Sequence, residues 1–145
     1  VADRVHGAEL GPSREQRELL AVSATDAVRH RRVRLRCGEV VMSEADNWYV
    51  PSRLTAAMNA ELDSTDTPFG RVAQPLSFRR RTLSSDLLWQ PLPEAWWQSR
   101  SAVGGERMNP PPHVLRHRAL LTLPDGRPVS LVVETYTRDA LPQRP

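Results

Sequence analysis
The stretch Val114–Thr137 does most to restrict how this chain can fold. Its centre, Pro124-Asp125-Gly126-Arg127, reads as a reverse turn. Proline presets a turn φ, aspartate bonds to its own backbone two residues on, and glycine accepts the left-handed conformation. The sequence before the turn alternates. Val114, Arg116, Arg118 and Leu120 share one parity; Leu115, His117, Ala119, Leu121 and Leu123 share the other. After it, Val129–Thr137 returns as a largely apolar run. Two strands joined by so short a turn pair antiparallel.

Upstream, Arg31–Cys37 alternates as cleanly. Arg31, Val33, Leu35 and Cys37 lie on one face, and Arg32, Arg34 and Arg36 on the other. Gly38-Glu39 predicts a tight turn and Val40–Met42 the start of a partner strand. The polar run Ser43–Asn47 reads as an interruption, a candidate bulge, before the strand resumes at Trp48–Val50 and stops at Pro51. Leu54, Ala57, Met58 and Leu62 mark one face of a short helix packed on the sheet. A further strand is expected over Leu76–Leu83, with Leu76, Phe78 and Arg80 on one face. Charge on both of its faces suggests that one borders a cavity or the sheet edge. Ser13 and Gln16 have capping-box spacing and predict a helix over Arg14–Val28. Val1–Pro12 is expected to be a loose arm and Arg138–Pro145 a tail. The expected architecture is α+β: one domain over residues 1–145, with an antiparallel sheet of five or six strands and flanking helices.

Composition removes several functions. No apolar run approaches the ~18 residues of a membrane span. The single Cys37 leaves no internal disulfide. All 20 basic residues are arginine, so neither a Schiff-base lysine nor a phosphate-loop lysine exists in the sequence. Arginine clusters at Arg29–Arg36 and Arg79–Arg81 suit either a nucleic-acid surface or a solvated strand face, and with a net charge of only +3 we take the second. The expected compartment is the cytoplasm, with a processed or secreted form left open because the chain begins at Val1.

Three places carry chemistry. Asp63–Gly70, D-S-T-D-T-P-F-G, is a turn in which Pro68 pushes Thr67 out of the helical region and Gly70 permits a close backbone approach. Such a turn either stops a helix or aims backbone N–H groups at an anion. Glu134 ends the run Val129-Ser130-Leu131-Val132-Val133. It either points outward or stands in a pocket as a proton donor with a raised pKa. Arg31, at the entrance of an otherwise apolar strand face, is either a strand-end arginine or a bidentate carboxylate binder. His113 and His117 have helical metal spacing, but they sit in a strand pattern where i and i+4 lie ~13 Å apart, so no metal is expected. No hydrolase elbow, phosphate loop or dinucleotide fingerprint is present. Ser84–Pro112, rich in tryptophan and proline, is either a surface connection or a lid.

In order, R-R-V-R-L-R-C (Arg31–Cys37), W-Y-V-P (Trp48–Pro51), the following helix, T-P-F-G-R (Thr67–Arg71) and D-G-R-P-V-S-L-V-V-E-T-Y (Asp125–Tyr136), closing near Leu141-Pro142, resemble chorismate lyase (chorismate pyruvate-lyase) and its relatives. The resemblance implies the chorismate lyase-like fold, an antiparallel sheet around a largely enclosed pocket. It implies conversion of chorismate to 4-hydroxybenzoate and pyruvate with no cofactor and no metal. It assigns the ring carboxylate to Arg31, with Arg32 as the choice in an ungapped register to Cys37, and to the backbone N–H of Phe69. It makes Glu134 the catalytic acid at the ether or hydroxyl oxygen across the ring. The final strand is one residue longer than the family pattern between Gly126 and Glu134, so a bulge must restore its direction. The same fold also serves as a ligand-sensing domain in bacterial regulators, normally joined to a DNA-binding domain, and we read none here. Two functions follow: a carbon–oxygen lyase acting on chorismate or a similar ring acid, and a non-catalytic binding or sensing protein. The expected partner is a small aromatic carboxylate, with no nucleic acid and no membrane, and the chain is expected to be a monomer or weak dimer.

Overall fold
The computed structural model describes residues 1–7, 9–90 and 109–141. Six strands, β1 (Ala2–Val5), β2 (Arg29–Cys37), β3 (Val40–Tyr49), β4 (Arg79–Leu87), β5 (His113–Thr122) and β6 (Pro128–Thr137), make one sheet in the order β1-β2-β3-β6-β5-β4. Every neighbouring pair is antiparallel. Among the described residues the helices are α1 (Arg14–Leu19), α2 (Ala56–Ser64) and α3 (Phe69–Val72), with 3-10 turns at Pro51–Arg53, Gln74–Leu76 and Arg138–Ala140. The fold is thus the expected α+β sheet with flanking helices. No helix among the described residues is long and apolar enough to cross a membrane.

Strand alternation gives the sheet two apolar faces. One packs Tyr49, Leu121 and Val132 against Leu62 of α2 and against Phe69, Val72 and Ala73 of α3 and its cap. The other packs Trp48, Leu120 and Leu131 beneath Leu19 and Leu20 of α1 and its cap. Leu131 is fully buried on the central strand β6. Leu131→Ala is expected to cost about 2–5 kcal/mol of stability, the usual penalty for a large buried cavity, measured by urea denaturation. The bulge foreseen in the last strand lies at its start. Leu121 pairs with Ser130 and Thr122 with Pro128, so Val129 is the extra residue, and the register then carries Glu134 inward.

Several expectations are corrected. Val1–Pro12 is not loose throughout. Ala2–Val5 pairs with Leu35–Arg32 and satisfies the outer edge of β2. Further along, the Leu10 N–H donates to His30 Nδ1 at 3.1 Å, and its carbonyl accepts from Trp48 Nε1 at 3.2 Å. The first helix has the foreseen Ser13–Gln16 capping box but stops at Leu19 rather than Val28. Ala21 takes φ 50°, and Arg53 bonds the carbonyls of Leu20 and Ala21 at 2.6 and 2.8 Å, supplying end-of-helix donors. Ser43–Asn47 does not interrupt β3, which is continuous; the irregularity in this hairpin falls between Leu35 and Arg36 of β2. Phe69–Val72 is a helical turn rather than a loop, and the fourth strand begins at Arg79 and reaches Leu87. Most of the suggested lid, 91–108, lies outside the described residues.

Candidate functional site
The connection between α2 and α3 builds the site's roof. Thr55 caps α2 by accepting from the Met58 N–H at 3.2 Å, and the helix ends at Ser64. Pro68 then keeps Thr67 extended before starting α3. The carbonyls left free are taken by arginines from two adjacent strands. Arg4 of β1 donates to those of Leu62 and Asp63 at 3.2 and 3.1 Å. Arg31 of β2 donates Nη1 to the Thr67 carbonyl at 2.5 Å and Nη2 to that of Thr65. The connector is therefore fastened to the sheet, which sets Phe69 above it.

Between roof and sheet lies a cavity of about 230 Å³. Pro68, Phe69 and Gly70 line it from α3, and Val33, Ala45, Phe78, Leu121 and Val132 make its walls mainly apolar. Four polar side chains join them: Arg31, Asn47, Arg80 and Glu134. Arg31, Phe69 and Glu134, chosen from sequence, thus share one cavity. Arg32 does not. It lies on the opposite face, where it makes a two-pronged pair with Asp46 at 2.7 and 3.0 Å that raises its own pKa. His30 on that face also contacts Asp46, at 2.7 Å. The outward Arg34 and Arg36 face acids as well, Glu44 at 2.8 Å and Asp3 at 3.1 Å.

Arg31 dominates the electrostatics. It is 3% exposed, and no carboxylate pairs with it among the described residues. Its Nε is buried with no acceptor among the described residues. Burial, and then the nearby Arg4 charge, lower its pKa, yet a guanidinium stays protonated at any ordinary pH. Backbone carbonyls solvate part of this cation but do not neutralise it. Glu134 is better provided for. Ser43 Oγ donates to its Oε1 at 2.9 Å, and Arg80 Nη2 stands 3.9 Å from its Oε2, too far for a hydrogen bond. Burial first, with the Glu134 charge beside it, pushes the Tyr136 phenol up.

Asn47 and Ser43 were passed over in sequence as parts of a polar interruption. Their signal was parity: with Ala45 they form the inward face of a strand whose even positions carry Glu44 and Asp46. Arg80 was recognised as sharing a face with Phe78, and both line the cavity. The two histidines do not form a site. His113 approaches Glu44 at 3.9 Å, while His117 packs edge-on against the Tyr136 ring. No cluster of three metal-ligating side chains occurs among the described residues.

No family model matches the sequence. The chain is 46% identical over 143 residues to a Sinorhizobium fredii protein described as uncharacterized protein y4mC, covering 97% of this chain but 60% of that protein. It therefore spans about three fifths of that relative's length. Among solved structures it is similar to the ligand-binding domain of a putative GntR-family transcriptional regulator from Bordetella bronchiseptica, with TM-score 0.63, 14% identity, all of this chain and 88% of the other. A GntR-family regulator from Enterococcus faecalis V583 gives TM-score 0.63 at 12% identity over all of this chain and 99% of that one. PhnF from Mycobacterium smegmatis gives 0.66 at 14% over 97% of this chain and 59% of that one. These likenesses, with the six-stranded antiparallel sheet and its flanking helices, identify the fold as the α+β chorismate lyase-like fold that such regulator domains share.

Proposed function
We propose that this domain binds a small aromatic carboxylate in the cavity over β2, β3 and β6, as a sensing rather than a catalytic module. The observation that carries the reading is the buried Arg31 guanidinium, which pairs with no acid among the described residues in a mainly apolar cavity. A desolvated cation without a counter-ion is costly, and a bound carboxylate supplies both the charge and the acceptors it lacks. At about 230 Å³ the cavity falls just below the ~300–1,000 Å³ usual for ligand pockets, which suits a single small ring. The first amides of α3, at Phe69 and Gly70, are not used within the helix and offer further donors. Across the cavity, the Glu134 carboxylate is an acceptor for a ring hydroxyl. The likeness to a domain described as ligand-binding in a putative regulator supports sensing over turnover.

One observation favours a second reading, a chorismate lyase-like enzyme. Glu134 shares the cavity with Arg31, as an acid beside a leaving ether oxygen would have to if a ring carboxylate sat on the guanidinium. Calorimetric titration with 4-hydroxybenzoate, followed by incubation with chorismate and chromatography, separates the two. The expected result is saturable one-to-one binding of 4-hydroxybenzoate and no chorismate loss above the spontaneous background. Equal formation of 4-hydroxybenzoate and pyruvate above background would replace the sensing reading with the lyase. Neither binding nor turnover would overturn both.

A further inference from the structure
We propose that Asn47, held by Ser130, is the second donor of the anion site, so that the acid group recognised is a planar carboxylate gripped from two facing strands. The inference rests on the binding reading above and names a residue that reading does not need. Asn47 stands directly opposite Arg31 in the β2–β3 register. Opposed residues of an antiparallel pair hold their Cβ atoms about 4.5–5.5 Å apart. Both side chains line the cavity, and both are nearly inaccessible, at 3% and 6% exposure.

The orientation of the amide decides what Asn47 offers. Ser130, on β6 and wholly buried, donates its hydroxyl to Asn47 Oδ1. That bond occupies the amide oxygen and leaves Nδ2 as the free end. Among the described residues Nδ2 donates to no acceptor, and Arg31 Nε is buried without one. Buried donors are rarely left unmet in a settled protein. The buried Arg31 Nε and the free Asn47 Nδ2, on facing residues of one cavity wall, together suit a ligand that brings two acceptor atoms in one plane. A carboxylate has that shape; a lone hydroxyl or a halide does not. Ser130 acts through Asn47 and is a positioning residue.

The substitutions Asn47→Asp and Asn47→Leu test this, with affinity for 4-hydroxybenzoate and the melting temperature of the free protein read together. Asn47→Asp sets a carboxylate beside Arg31 and supplies the missing counter-ion from within. The free protein is expected to melt higher than wild type, while affinity falls by about 100-fold or more through neutralisation of Arg31 and like-charge repulsion. Asn47→Leu keeps the Arg31 charge and removes one donor, for an expected loss of about tenfold. Ser130→Ala is expected to weaken binding several-fold in wild type and to add nothing in the Asn47→Leu background, a coupling that a general packing defect would not produce. Wild-type affinity in both Asn47 variants overturns the inference and leaves the binding reading in place. Should the wild-type protein bind neither benzoate nor 4-hydroxybenzoate, the inference falls together with the reading beneath it. If Asn47→Asp does not fold, the leucine variant alone decides, and unchanged affinity there is the overturning result.

Discussion

Arg31→Gln is expected to weaken aromatic carboxylate binding by at least about 30-fold, the effect of removing one partner from a desolvated charge pair. Arg32→Gln is expected to leave affinity within about threefold, because loss of an exposed or paired charge remote from the ligand changes binding little. The contrast follows from strand geometry alone. Neighbours on β2 point to opposite faces: Arg31 enters the cavity, while Arg32 clasps Asp46. Stability is expected to respond the other way. Arg32→Gln breaks a two-pronged pair with a mostly covered acid and should cost on the order of 1 kcal/mol. Arg31→Gln removes an uncompensated buried charge, which is favourable, but also the donors for the Thr65 and Thr67 carbonyls, which is not. These two terms oppose each other, so its melting temperature should move less than its affinity. Calorimetry and thermal unfolding on both variants check this. Stronger loss of binding at Arg32 would mean that the face carrying Asp46, not the Glu134 face, holds the ligand.

The choice between those two arginines also marks how far sequence reading reaches. Alternation in Arg31–Cys37 put Arg31 with Val33 and Leu35, and this parity argument agrees with the structure. An ungapped register to Cys37 would have chosen Arg32, but the pairing irregularity lies between Leu35 and Arg36, just where counting back from the cysteine loses its meaning. The extra residue relative to the family pattern foresaw a bulge between Gly126 and Glu134, and the structure places it at Val129. What was not legible depended on partners distant in sequence. Ala2–Val5 has no apolar alternation, and only the open edge of β2 makes it a strand. The end of α1 is set by Ala21 in a left-handed conformation and by Arg53, 32 residues away. Asn47 looked like part of a break because polar residues on both faces mimic a loop. Its inward face meets a cavity and its outward neighbours meet arginines, so neither face of that stretch is apolar.

Glu134→Ala is expected to cost 4-hydroxybenzoate about 10- to 100-fold in affinity, the range for losing a hydrogen bond to a charged group, and to cost benzoate far less. Ser43 already donates to Glu134 Oε1. Arg80 stands 3.9 Å from Oε2 and the Tyr136 phenol lies beside the same carboxylate, so among the described residues Oε2 keeps room for one more donor. Were the acid group of a single ring anchored at Arg31, the atom opposite it would be the one to approach Glu134, which lines the same cavity of about 230 Å³. A site built to accept a hydroxyl hydrogen discriminates strongly against a ligand without one, because the buried acceptor is then left unmet. Wild type should therefore prefer 4-hydroxybenzoate to benzoate, and the variant should lose that preference rather than all binding. Equal loss for both acids would mean that Glu134 maintains the cavity's shape instead of reading the ring. The same position also discriminates the two functions. Should wild-type protein consume chorismate, Glu134→Gln should abolish turnover while retaining product binding, since glutamine fills the carboxylate's space but cannot deliver its proton.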